Sequence, residues 1–247
     1  MNNVLGKDPI CENEVCDESL NYRDLLKAHA IFELISKGDN SYWDFYGKET
    51  WSLNNLNVKA VKVPILKFLN KYQSRISYRV APQLLDTLRD CKVHFDRLGN
   101  TDLTHCNFEV VSSEITSVFS KLEPLIYSTG TSRVLHMIKP KLLVMWDRDI
   151  REKICHFEHG LSNEDIARKY VDFMKEMQNQ ATDVLKSYVE THEDTSDYSE
   201  AEKIIEKTCN GKTLAKLMDE YNYIHVHYDV KPEIECPYCN KDIKLGV

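Results

Sequence analysis

Tyr127-Ser128-Thr129-Gly130-Thr131-Ser132-Arg133-Val134-Leu135-His136-Met137-Ile138, then Lys139-Pro140, then Leu142-Leu143-Val144-Met145-Trp146-Asp147-Arg148-Asp149-Ile150-Arg151 is the stretch on which the reading of this chain turns. The small residues from Ser128 to Ser132 cannot build a core. Gly130 tolerates the left-handed angles of a tight turn, so two helices are expected to meet there. From Arg133 onward Val134, Leu135, Met137 and Ile138 give a short amphipathic face. Pro140 ends it, because the residue before a proline is pushed out of helical angles. After the apolar run through Trp146, Asp147 is placed to cap a second helix, its carboxylate accepting unpaired first-turn amides. A negative charge then sits at a helix mouth.

A second stretch is set apart by charge. Between Thr50 and Leu85 there is no Asp or Glu, while Lys59, Lys62, Lys67, Lys71, Arg75 and Arg79 all fall there. The whole chain carries a net charge of −7, so contact with a polyanion is expected to be local to this segment rather than general. Within it Val63, Ile65, Leu66, Phe68, Leu69 and Tyr72 suggest a buried helix with Pro64 near its first turn and the basic residues on its open side.

Most of the remaining chain has helical spacing. The pattern is clear over 22–37, 81–98, 109–122, 148–158, 163–189, 198–208 and 211–221. Leu142 to Trp146 suits an extended apolar segment, and Tyr223-Ile224-His225-Val226-His227-Tyr228 alternates like a short strand. The acidic stretch Glu190 to Glu200 has no apolar face and is expected to be a solvated loop. A 42% hydrophobic chain of 247 residues can bury a substantial core. The chain lacks an apolar run near 18 residues and a secretory leader, so an intracellular protein without a membrane span is expected, cytoplasmic or nucleoid-associated. The eight scattered Cys then read as thiols or ligands rather than disulfides.

The arrangement from Tyr127 to Arg151 resembles the end of the helix-hairpin-helix DNA glycosylase signature, in which a Gly-x-Gly hairpin and helix lead through a Pro-containing loop to a catalytic Asp. The likeness covers 25 residues. Ser128 stands where the first hairpin Gly would be, and the connection from Ser132 to Asp147 is a few residues shorter. The resemblance implies an all-α, two-lobed helical bundle of the glycosylase type. A flexible lead-in would occupy 1–18, the helical domain 19–228 with a middle lobe at about 76–138, and a C-terminal tail 229–247. It also implies that Thr129, Gly130 and Thr131, flanked by Ser132 and Arg133, hold a DNA phosphate through backbone amides. Ser132 occupies the position of the nucleophilic Lys of bifunctional members, so a monofunctional enzyme is implied.

In that mechanism Asp147 stabilises the positive charge growing on the deoxyribose and helps water attack as the base leaves, with Asp149 as the fallback. The segment from Ile65 to Arg75 is similar to the family's early helix, which ends in a turn that pushes a side chain into the DNA stack. Gln73 is the implied wedge, with Tyr72 and Asn70 as alternatives, while Lys67, Lys71 and Arg75 touch the backbone nearby. The partner is double-stranded DNA carrying a flipped base, damaged, mismatched or modified (a modified viral base among them), bound by a monomer in DNA repair or in defence against phage. Catalysis needs no cofactor. Cys236-Pro237-Tyr238-Cys239 is half of a metal knuckle, and His225 and His227 would complete a two-Cys, two-His structural zinc site; an unmetallated tail, a redox pair and a Cys11–Cys16 pair are the alternatives. The aromatic cluster Tyr42, Trp43, Phe45, Tyr46 and Trp51 is read as core packing before base stacking, and His136 as filling rather than a general base. Two other classes fit the same features: a helix-hairpin-helix DNA-binding protein without chemistry, and a helical interaction protein with no nucleic-acid role.

Overall fold

Apolar residues at three- and four-residue spacing, with few β-branched runs, make helices, and helices are the only regular structure among the described residues. The computed structural model describes residues 20–36, 53, 56–71, 74–154, 160–192 and 195–228. Helix α1 is Tyr22–Ser36. A continuous run, α2, joins Val58–Ala60, a π-helical Val61–Leu66 and Lys67–Lys71. Then come α3 (Ala81–Asp90), α4 (Lys92–Arg97), α5 (Phe108–Ile138), α6 (Arg148–Ile154), α7 (Asn163–Thr191), α8 (Tyr198–Thr208) and α9 (Leu214–His227). Side-chain caps start the long ones. Asn107 accepts from the Glu109 amide, Ser162 from Asp165, Asp197 from Ser199 and Thr213 from Lys216.

The longest helices, α5 and α7, pack along each other, and α1 lies on α9. Between α5 and α7 sits an aromatic cluster, with Phe119 and Tyr170 ring centroids 4.8 Å apart and Trp146 5.0 Å from Tyr170. Trp146 is 1% exposed. Under α1 the core is ionic instead: fully buried Glu220 meets His29 Nδ1 at 2.7 Å, Lys212 Nζ at 2.8 Å and Lys216 Nζ at 3.6 Å.

The basic segment behaves as its pattern suggests. Ile65, Leu66, Phe68 and Leu69 are buried while Lys59, Lys62, Lys67 and Lys71 are exposed, although Val63 is also exposed. Pro64, expected near the first turn, instead lies inside the run that starts at Val58, in a π-helical stretch that accommodates its missing amide.

Two expectations are corrected. The segment Tyr223 to Tyr228 is not a strand: Tyr223 to His227 end α9, and Tyr228 is its C-cap. Its alternation satisfies the helical rows as well, with Asn222 and Val226 buried four residues apart, and packing on α1 selects the helix. The turn expected at Gly130 falls instead at Tyr127, whose φ of 58° and ψ of 165° interrupt α5. A bulky residue held there costs about 1–3 kcal/mol. Residues 128–138 then continue as the second segment of α5.

Gly130 is therefore helical, and packing explains its size. A Cβ there would lie 3.1 Å from Ile76 Cδ1 and 3.3 Å from Ile126 Cβ. Gly130→Ala, which ordinarily gains about 1 kcal/mol of helix propensity, is expected here to lose about 1 kcal/mol net through overpacking. Thermal melting checks this, and a variant that melts at or above wild type contradicts it.

Candidate functional site

The second segment of α5 leads through a turn at Pro140 to Leu142 into an extended strip, Leu143 to Asp147, that runs through the core without a strand partner. Buried backbone polar groups must be paired, and side chains meet that need here. His136 Nδ1 donates to the Leu143 carbonyl at 2.5 Å. Val144 N–H donates to Met174 Sδ at 3.3 Å, and the Val144 carbonyl accepts from the Tyr170 hydroxyl at 2.8 Å. The Ser132 hydroxyl donates to the Trp146 carbonyl at 2.9 Å and accepts from the Trp146 amide at 3.2 Å. Burial pushes the His136 imidazole down to about 3, with the Leu143 hydrogen bond opposing, so the ring is neutral and acts as a support. The strip is thus pinned up to the residue before Asp147.

Asp147 then turns out of the core. Its Oδ1 accepts from the Ile150 amide at 2.9 Å, capping α6, and its Oδ2 lies 2.9 Å from His227 Nε2. The side chain is 21% exposed. It opens on a cavity of about 690 Å³ whose wall carries four cations, Lys71, Arg75, Arg133 and Arg148, against two carboxylates, Asp147 and Asp149. Thr129 and Tyr223 complete the lining.

Each cation comes from a different local device. Lys71 ends α2. Arg75 has a left-handed φ of 51°, and the neighbouring Ile76 is gripped by Asn70, whose amide donates to its carbonyl at 2.8 Å and accepts from its N–H at 2.6 Å. Arg133 lies on the second segment of α5 and donates to Ser74 Oγ at 2.9 Å. Arg148 opens α6 and holds Glu152 at 2.8 Å.

Of the residues singled out in the sequence, Asp147, Asp149, Lys71, Arg75, Thr129 and Arg133 come together around this cavity. Lys67 is exposed on the same helix as Lys71 but outside the cavity wall. Gly130, Thr131 and Ser132 are buried, and Ser132 spends its hydroxyl on the Trp146 backbone, so its side chain is a support for Asp147 and not a ligand contact. Asn70 is likewise a clamp on Ile76 and not a free wedge. Gln73 and Tyr72 lie outside the described residues, as do Cys236, Cys239, Cys11, Cys16 and the aromatic cluster from Tyr42 to Trp51.

The His-x-His pair is corrected. On a helix, residues two apart point about 200° from each other. His225 stacks on Tyr221, with centroids 5.8 Å apart, while His227 meets Asp147 and Asp149. They do not form one ligand pair. Among the described residues, two other groups bring three ligand-type side chains within 4.8 Å: His29, Glu33 and Glu220, and Asp102, His105 and Glu202. The first already encloses the Lys212 ammonium, which contacts both of its carboxylates. In the second, burial and the nearby Glu206 and Asp102 push the Glu202 carboxyl up.

Sequence reading left Arg148 and Tyr223 out of the site and gave His227 another use. Reading 214–227 as one helix would have found the latter two, because Tyr223 and His227 are four residues apart on one face. No protein-family model, curated protein or solved structure matches this chain. No helix among the described residues is long and apolar enough to cross a membrane.

Proposed function

We propose that this protein is a monofunctional DNA glycosylase of the helix-hairpin-helix type, hydrolysing the N-glycosidic bond of a damaged, mismatched or modified base flipped out of duplex DNA. One observation carries the reading: a half-buried carboxylate, Asp147, lines the same cavity as Lys71, Arg75 and Arg133. A polyanion lying on those cations brings its sugar to the carboxylate. A negative group beside an oxocarbenium-like sugar is worth several kcal/mol in the transition state. A cavity of about 690 Å³ also falls within the size range of sites that enclose a small organic group.

The backbone break at Tyr127 supports the phosphate part of the reading. A helix segment that begins at Ser128 turns its first amides toward its own start, and Thr129 reaches the cavity wall. In this proposal 76–138 contributes the second lobe of a monomeric enzyme that needs no cofactor.

A second reading, a DNA-binding protein without chemistry, is favoured by the Ile150 amide, which engages Asp147 Oδ1 as an ordinary helix cap is engaged. Duplexes carrying different lesions and base modifications, incubated with the protein and then heated in alkali, decide between the two. Strand breaks at one base type are expected. DNA binding with no break on any duplex supports the second reading, and no binding at all overturns both.

The cation wall makes its own prediction. Lys71→Ala and Arg75→Ala are each expected to weaken DNA binding about equally for all sequences and to lower the slope of log affinity against log salt by about 1. Fluorescence anisotropy over a sodium chloride series measures it. Unchanged slopes in both variants contradict the placement of the phosphate.

A further inference from the structure

His227 is the last residue of α9, and its ring is bracketed by carboxylates. Nε2 lies 2.9 Å from Asp147 Oδ2, and Nδ1 lies 3.4 Å from Asp149 Oδ2. The ring itself is braced by Tyr223, one turn earlier, with centroids 4.5 Å apart. Tyr223 in turn packs edge-on against Phe32 of α1. The end of α9 is tied down as well, since the Lys153 ammonium of α6 donates to the Val226 carbonyl.

We propose that His227 is the positioning residue for Asp147, holding its carboxylate in the one orientation that faces the sugar. This inference rests on the glycosylase reading of the cavity. A carboxylate only accepts hydrogen bonds, so the 2.9 Å contact requires the proton on Nε2. With Oδ1 taken by the Ile150 amide and Oδ2 by the imidazole, the Asp147 group is gripped by donors from two separate elements, α6 and α9. Asp147 is the closer and the less exposed of the two carboxylates, Asp149 being 54% exposed, so the Asp147 contact is the one in which the ring fixes a carboxylate. With its proton on Nε2 directed at Asp147, that nitrogen accepts nothing from an incoming water, and the contact orients the carboxylate rather than moving a proton. Its work is geometric. Misplacing a reacting group by about 1 Å can cost about 10²-fold in rate without changing what binds.

His227→Phe keeps the ring against Tyr223 and removes both nitrogens, whereas His227→Gln returns an amide N–H near the position of Nε2. On the duplex that wild type cleaves, the Phe variant is expected to lose at least about tenfold in single-turnover excision with DNA affinity within about twofold, and the Gln variant to recover much of the loss. The 13C resonance of the Asp147 side-chain carboxyl is expected to move in the Phe variant and to return toward wild type in the Gln variant. A Phe variant that excises as fast as wild type overturns the proposal and leaves the glycosylase reading standing. If wild type excises nothing, that reading falls, and the carboxyl resonance decides: identical signals in wild type and the Phe variant overturn the pairing, while a displaced signal restored by Gln upholds the positioning of Asp147.

Discussion

Asp147→Asn is expected to reduce base excision by about 10²–10³-fold while DNA affinity stays within about threefold of wild type. The substitution removes charge and keeps shape. An Asn oxygen still accepts from the Ile150 amide, the bond that Asp147 makes at 2.9 Å, and Asn caps helices about as well as Asp. Stability should therefore change by less than about 1 kcal/mol. What disappears is the anion beside the sugar, whose attraction grows only as the base departs, so the loss falls on the chemical step. Single-turnover cleavage and equilibrium binding on the same duplex separate the two quantities. A variant that cleaves like wild type would remove Asp147 from the chemistry, and one that loses binding in proportion would make it a binding residue.

The largest stability effect is expected far from the cavity, at Glu220. Its carboxylate is fully buried, contacts Lys212 Nζ at 2.8 Å and accepts from His29 at 2.7 Å, with Lys216 Nζ at 3.6 Å. Truncation to Ala takes from Lys212 and Lys216, both about 95% buried, the fully buried anion they share, and leaves Lys212 to the partly exposed Glu33 and Lys216 to Asp219. Breaking a buried ionic cluster this way costs about 3–5 kcal/mol. Urea unfolding at pH 7 measures it, and a loss under about 1 kcal/mol would contradict the account.

Acid should reveal the same group. Burial pushes the Glu220 carboxyl up, but Lys216, the His29 hydrogen bond and Lys212 outweigh it, and the net position is below the ordinary value of 4.5. A carboxyl lowered on folding stabilises above its unfolded value, and that contribution is lost as pH falls through the folded one. The difference in stability between wild type and Glu220→Gln should accordingly be constant above about 4.5 and shrink below it.

The all-helical class was legible because helical periodicity is dense. The span 198–208 was read at the bounds of α8, and α1 ended within a residue of its expected stop. The short alternation at Tyr223 to Tyr228 misled, because six residues satisfy a two-residue and a four-residue period together and only packing on α1 selects between them. Gly130 misled for a different reason. A glycine signals either unusual backbone angles or close approach, and only coordinates tell that Tyr127 takes the angles while Gly130 admits Ile76 and Ile126. Asp147 and the cations of the basic segment were legible from charge and capping. The support beneath Asp147 was not, since the bonds from His136, Tyr170, Met174 and Ser132 to one strip of backbone have no sequence periodicity.

The most direct test of Asp147 as the anion facing a sugar cation uses two duplexes that differ at one nucleotide. One carries a pyrrolidine, whose protonated ring nitrogen places a positive charge where the sugar cation would form; the other carries the neutral tetrahydrofuran of the same shape. Wild type should bind the pyrrolidine duplex about 10²-fold more tightly, as transition-state mimics are bound, and Asp147→Asn should erase that preference. Equal affinity of wild type for the two duplexes, or a preference that survives in Asp147→Asn, would contradict it.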